Sequence, residues 1–291
     1  SKLRLCLSMI VEEDMKLSEA KKVYWHEHTY KELAEIIPKL EVAIIPTGST
    51  EIHGPHLGVG NDILSSTWVA EKVAKIMYPR AIVVNILWIG VAPHNMCKPF
   101  PGTITLTAET YMRVLSEVVE SLLKHGVRRV VFLNGHGGNV APNITACREI
   151  RETLYYKYGV NIEVGTLSYW DVIPNRVWKE VLEIAPEQKI GHGGEAETSI
   201  FMAIAPHAVR ADYIVPPDTR PRPEPKMFRA WYQDEYSPDG YTDDARAASK
   251  EKGEKLLEAA VKGCVVAIED FIAFKPVGTR THPEEHQYPR P

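Results

Sequence analysis

Four short apolar runs punctuate the first half of the chain: 42–46 (VAIIP), 81–87 (AIVVNIL), 128–133 (RRVVFL) and 161–167 (NIEVGTL). They are short and rich in β-branched residues, so each predicts a buried strand. Between them, apolar residues recur at helical spacing: Trp68, Val69, Val73, Ile76 and Met77 over 64–77, and Tyr111, Val114, Leu115, Val118 and Leu122 over 107–124, where Thr107 is placed to cap the helix. A third helix is expected over 141–158. This alternation predicts an α/β fold with a mostly parallel sheet covered by helices on both faces. Ahead of it, 23–25 (VYW) reads as a short edge segment and 30–40 as an amphipathic helix. Beyond residue 172 the regularity loosens into an apolar helical segment at 200–204 and a last amphipathic helix over 249–271. Five prolines crowd 216–225, with Phe228, Trp231, Tyr232, Tyr236 and Tyr241 after them. The stretch 214–246 therefore reads as an excursion that covers a site or packs on another subunit. The segment 275–291 reads as an extended tail, and 1–291 as one domain.

Composition narrows the function. A net charge of -4 and a pI near 6.3, without a basic stripe, exclude nucleic acid and anionic membranes as expected partners. No apolar run approaches the roughly 20 residues of a membrane span, and 1–10 lacks a signal-peptide pattern, so the expected location is cytoplasmic. Cys6, Cys97, Cys147 and Cys264 form no C-x-x-C pair. Any metal must then be held by nitrogen and oxygen.

The candidate chemistry follows the strands, as it must where a parallel sheet gathers its loops at the carboxyl ends. After the first run comes GSTEIHGPHLGVGND (48–62), which carries Glu51, His53, His56 and Asp62 among four glycines and a proline. Glu51 and His53 lie two apart and leave one face of an extended segment, and the glycine turns let Asp62 return to the same point. After the second run, His94 is placed to line the site. The third leads into NGHGGN (134–139), where His136 sits among glycines and backbone at Gly137 can approach a ligand closely. Trp170 follows the fourth. Farther on, GHGGEAETS (191–199) offers His192, Glu195 and Glu197. Acidic residues at a helix start are also favoured by the helix dipole alone, and a glycine-rich turn can hold a histidine without function.

Taken together, Glu51, His53, Asp62, His136 and Glu197 suit two divalent ions, zinc, manganese or iron, with Asp62 bridging them. Such a pair, about 3.5 to 4 Å apart, can share a hydroxide and polarise a carbonyl. His192 fits a general acid and base, with Glu195 beside it as a second catalytic group; His56, His94, Trp170 and Gly137 are the substrate-facing candidates. Phosphate-ester chemistry would call for an arginine clamp, and Arg128 and Arg129 precede their strand, at the wrong end of the sheet.

GSTEIHGPHLGVGND, PFPGTITL (99–106), NGHGGN and GHGGEAETS, in this order over about residues 40–207, resemble the motifs of the creatininase family of metal-dependent hydrolases. The resemblance implies a three-layer α/β/α fold, a dinuclear metal centre, a homo-oligomer (a hexamer) and hydrolysis of a C–N bond in a small cyclic or formyl amide. It assigns Glu51, His53, Asp62, His136 and Glu197 as ligands and His192 as the catalytic histidine. The family also holds formamide hydrolases, a peptide-trimming enzyme and hydrolases that open a cyclic diketone, 3-dehydro-scyllo-inosose, by C–C cleavage. The chain departs from creatininase proper at Gly138, where that enzyme has a second acidic residue, and this departure argues against creatinine itself. A non-catalytic metal-binding subunit would have lost His192 or a bridging carboxylate, and both are present.

Overall fold

In the computed structural model, residues 21–84, 87–184, 186, 190–218 and 228–275 are described. The stretches 1–20 and 276–291, residues 85 and 86 of the second apolar run, and 219–227 of the proline-rich segment lie outside them. Four strands, β1 (Val42–Thr47), β2 (Ala81–Val83), β3 (Arg129–Asn134) and β4 (Glu163–Ser168), form one sheet in the order β2-β1-β3-β4, every pair parallel. The helices are α1 (Tyr30–Ile36), α2 (Asn61–Met77), α3 (Ala108–Lys124), α4 (Val140–Tyr158), α5 (Asn175–Val181), α6 (Glu195–Ile204), α7 (Gln233–Tyr236) and α8 (Lys250–Ala273). No helix among the described residues is long and apolar enough to cross a membrane.

Because side chains alternate across a strand, β1 feeds two cores at once. Val42 and Ile44 pack with α2, α6 and α8 on one face. Ala43 and Ile45 pack on the other with Tyr111, Leu115, Val119 and Leu122 of α3 and with Ala146, Ile150 and Leu154 of α4. Each large side chain so buried stabilises by roughly 1.5–3 kcal/mol, which makes the three-layer α/β/α arrangement the state that hides both sheet faces. Caps mark the helix starts: the Thr107 and Ser249 hydroxyls accept from the N–H groups of Thr110 and Lys252. The 30–40 helix stops at Ile36 and tightens into a single 3-10 turn, because Pro38 cannot continue the α ladder.

Two boundaries differ in ways that matter. The first long helix begins at Asn61 rather than 64, so Asp62 lies in its first turn instead of in a returning loop. The second strand keeps only three ladder residues, with Leu87 bridging separately to Thr47. The 23–25 segment does lie at the edge, Val83 N–H donating to the Val23 carbonyl. The strand order reverses direction between β1 and β3, and a crevice opens there beyond their carboxyl ends.

Candidate metal and active site

At that crevice Thr47 of β1 stands opposite Asn134 of β3. Asn134 closes its own turn, donating to the His136 carbonyl (2.7 Å) and accepting from the His136 N–H (3.1 Å). Asn139 bridges two further loops, donating to the Gly48 carbonyl and accepting from Val91 N–H, both at 2.9 Å. Both asparagines of NGHGGN thus tie down backbone, Asn134 also bonding the Thr47 and Ser168 hydroxyls, and His136 is held on a rigid turn. The glycines bring in the remaining partner. A β-carbon on Gly48 would lie 2.5 Å from Ile63 Cα, and one on Gly135 2.3 Å from the Asp62 carbonyl oxygen. Only bare backbone at both strand ends lets α2 start against them and deliver Asp62.

The result is a buried knot of three carboxylates and two imidazoles. His53 Nε2 stands 3.0 Å from Asp62 Oδ1, 3.4 Å from Glu197 Oε2 and 3.8 Å from Glu51 Oε1. His136 Nδ1 stands 3.0 Å from Asp62 Oδ2 and 3.2 Å from Glu51 Oε1. These atoms form two triads able to hold an ion, Glu51–Asp62–His136 and His53–Asp62–Glu197, with Asp62 common to both; Glu51, His53 and His192 form a third grouping. The imidazole tautomers suit ligation. His53 Nδ1–H donates to the Glu51 carbonyl and His136 Nε2–H to the Val91 carbonyl, both at 3.1 Å, which leaves lone pairs on the nitrogens that face the carboxylates. Gly193 N–H donates to Glu197 Oε2 at 2.7 Å and fixes that carboxylate.

Electrostatics show what the knot lacks. Burial alone would lower the His53 pKa, but Asp62 and Glu197 outweigh it and push it up to about 10. His136 is raised well above its usual range by Glu51 and Asp62 against the same burial. Burial pushes Glu197 up to about 8. For Asp62 and Glu51 burial is outweighed by the facing imidazoles, and both are lowered. Protons crowd the knot because three buried carboxylates demand positive charge. Divalent cations on the same nitrogen and oxygen donors would satisfy that demand, and Glu51 Oε2, buried without a hydrogen-bond partner among the described residues, is a donor in waiting.

Beside the knot opens a cavity of about 730 Å³, reached by Glu51, Asp62, His136, His192 and Glu197 and walled by His94, Gly137 and Trp170. The His192 ring lies 4.3 Å from that of His53; its Nε2 has no hydrogen-bond partner among the described residues, and burial together with His53 lowers its pKa to about 3. His94 stacks parallel on His136 at 6.1 Å. Two expected site residues fall elsewhere. Glu195 points away from the cavity, accepting from the N–H groups of Glu183 and Ile184 and pairing with Lys252 at 2.5 Å; it anchors the start of α6. His56 is fully buried behind the site, its Nε2–H donating to the Gly193 carbonyl at 2.9 Å, so it supports the loop rather than facing a substrate. Conversely, the excursion supplies wall residues that periodicity did not single out: Phe228, Ala230, Trp231, Gln233, Thr242 and Asp243. The aromatic density after 225 was the one sequence signal for them.

A doubly covered parallel sheet with an oxygen–nitrogen metal knot at its switch point defines a metallohydrolase-like α/β protein. The sequence model of the creatininase family, described as creatinine amidohydrolase, matches residues 26–268, and the chain belongs to that family. It is 32% identical over 265 residues to the creatinine amidohydrolase of Pseudomonas putida, covering 86% of this chain and 98% of that one. It is 27% identical to the 3-dehydro-scyllo-inosose hydrolase of Thermotoga maritima, over 88% of this chain and 86% of that one. A crystal structure of creatininase superposes with a TM-score of 0.78 at 28% identity, covering 88% of this chain and all of that one. A manganese form of creatininase gives 0.76 at 28% identity, covering 87% of this chain and 100% of that one. The chain is thus a metal-dependent hydrolase that binds divalent metal.

Proposed function

We propose that the chain is a dinuclear hydrolase that cleaves the C–N bond of a small cyclic or formyl amide. The observation that carries the reading is the division of Asp62 between two triads, its oxygens each 3.0 Å from a different imidazole. Glu51, Asp62 and His136 would hold one ion, and His53, Asp62 and Glu197 the other. Two divalent ions there would polarise a substrate carbonyl and make bound water acidic at neutral pH. The protein's own groups do the rest. His53 and His136 are aimed by backbone carbonyls, and His192 lines the cavity beside them. Nε2 of His192 can therefore take a proton from the attacking water and return it to the departing nitrogen. Overall the carbonyl carbon gains hydroxyl and the nitrogen gains hydrogen.

Gly138 fits this assignment. A β-carbon there would lie 2.3 Å from the Val91 carbonyl and 2.4 Å from His136 Nε2, at the hydrogen bond that sets the His136 tautomer. An acidic side chain at 138 would collide with this loop's backbone, and the ligand set is complete with Glu51, His53, Asp62, His136 and Glu197.

The likeness to the inosose hydrolase supports a second reading, C–C cleavage of a cyclic diketone by the same centre. An NMR turnover assay of the manganese- or zinc-loaded protein separates the two, offering creatinine, a formamidopyrimidine and the cyclic inosose diketone side by side. Cleavage of a nitrogen compound is the expected result; cleavage of the diketone alone would overturn the amide reading in favour of the second.

A further inference from the structure

A chain of side-chain hydrogen bonds runs through the core behind the metal-ligand turn and ends on it. The Tyr111 hydroxyl of α3 donates to Asn143 Oδ1 of α4 at 2.7 Å. Asn143 Nδ2 donates to the Thr47 hydroxyl at 3.2 Å and to the Thr166 hydroxyl at 3.4 Å. The Thr47 hydroxyl donates in turn to Asn134 Oδ1 at 3.3 Å. Tyr111, Asn143, Thr47 and Asn134 are at most 1% exposed, so no link is open to water. Each link sets the polarity of the next. A phenol hydrogen given to Asn143 Oδ1 fixes that carboxamide with its nitrogen toward Thr47. The Thr166 hydroxyl, which gives its own hydrogen to the Phe132 carbonyl at 3.1 Å, accepts from Asn143 and holds it the same way round. Thr47, having accepted, directs its hydrogen to Asn134. The Asn134 oxygen therefore receives Thr47 and the His136 N–H, and its two nitrogen-bound hydrogens go to the His136 carbonyl and the Ser168 hydroxyl. Turned the other way round, the carboxamide would set oxygen against carbonyl oxygen and N–H against N–H at residue 136.

We propose that the Thr47 hydroxyl, oriented by Tyr111 and Asn143, is a positioning group for one metal ion: it sets the Asn134 carboxamide, and through it the direction in which His136 presents Nδ1. The inference rests on the two-ion reading above. Its reach is one-sided. His136 belongs to the Glu51–Asp62–His136 triad, whereas in the other triad His53 is aimed by the Glu51 carbonyl and Glu197 by Gly193 N–H, groups outside the chain. Thr47 therefore tunes one ion and leaves its neighbour alone. Partners that orient a ligand from behind typically carry about 10- to 100-fold in metal affinity.

The test titrates manganese calorimetrically into the chelator-stripped protein and compares two substitutions at one position. Thr47→Val keeps the β-branched shape and removes the hydroxyl; Thr47→Ser keeps the hydroxyl and removes the methyl. A residue that only fills the core would tolerate valine and suffer from serine. The opposite order is expected. Thr47→Val weakens one of the two binding steps by about tenfold and leaves the other within about twofold, while Thr47→Ser binds as the wild type does. Tyr111→Phe is expected to weaken the same step, and its combination with Thr47→Val to cost no more than the larger single effect, as links of one chain do. A Thr47→Val protein with wild-type affinity for both ions overturns the proposal, and so do Tyr111→Phe and Thr47→Val effects that add in full. Equal weakening of both steps, or Thr47→Ser weaker than Thr47→Val, overturns it as well, by making Thr47 a support of the fold. Uptake of a single ion by the wild type would sink the two-ion reading separately; the positioning role then stands if Thr47→Val weakens that ion and Thr47→Ser does not, and falls otherwise.

Discussion

The oxygens of Asp62 stand 3.0 Å from different imidazoles, so replacing one of them with an amide nitrogen withdraws a donor from one triad and the negative charge from both. Asp62→Asn is expected to lose most bound metal and nearly all turnover, checked by elemental analysis beside steady-state kinetics. A variant that retains two ions and full activity would refute the bridge. His192 is a different case. Its Nε2 is unpaired among the described residues while its Nδ1 lies 3.8 Å from Glu51 Oε1, which suits a proton carrier better than a ligand. His192→Asn is expected to keep its metal and to lose turnover by about 10²-fold or more; metal loss in that variant would make His192 a ligand.

At the level of elements, α6 shows why a short motif can be half read. Glu195 and Glu197 share its first turn, but two residues on a helix turn the side chain by roughly 200°, so at most one of them can face the crevice. Nothing local to GHGGEAETS says which; the choice is made by Lys252 of α8 and the N–H groups at 183 and 184, which capture Glu195. Removing that acceptor leaves the two N–H groups without their partner and Lys252 with only Glu183 and the Ala247 carbonyl, so Glu195→Ala is expected to cost roughly 1–3 kcal/mol in urea unfolding. Turnover per bound metal is expected to be unchanged, and a large fall in kcat at full metal loading would restore Glu195 to the chemistry. The sheet and the cluster of carboxylates and imidazoles on its loops were legible because β-branched runs mark strands and because parallel sheets put their chemistry after them. Asp62 was legible as a member of the cluster but not as a helix residue, since its position depends on tertiary contact with Gly48 and Gly135. Trp231 and Asp243 reach the cavity from an excursion distant in sequence, and periodicity carries no information about where such a segment lands.

For the whole molecule, the buried knot couples metal, protons and stability. Glu197 and His53 carry folded-state pKa values pushed up to about 8 and about 10, above their ordinary values near 4.5 and 6.5. A group so raised contributes its full stabilisation below its unfolded pKa and loses it as pH climbs through the folded value. The metal-free protein must therefore weaken between about pH 6.5 and 10, as the protons that neutralise Asp62, Glu51 and Glu197 are drawn off; below pH 6.5 the lowered His192 and His56 act in the opposite sense. Divalent cations do the same neutralising without titrating in this window, and they bind the deprotonated donors more tightly as pH rises. At a thousandfold excess over Kd, a ligand specific for the folded state adds about 4 kcal/mol, or roughly 10 °C in Tm for a chain of this size. Thermal melts of chelator-treated and zinc-loaded protein at pH 6 and pH 9 check the coupling. Tm is expected to fall with pH in the chelated sample and to stay level in the loaded one, so that the gap between them widens. A gap that narrows on going to pH 9 would mean that the knot is neutralised by its own protons even in the working protein, and that its carboxylates are not metal ligands.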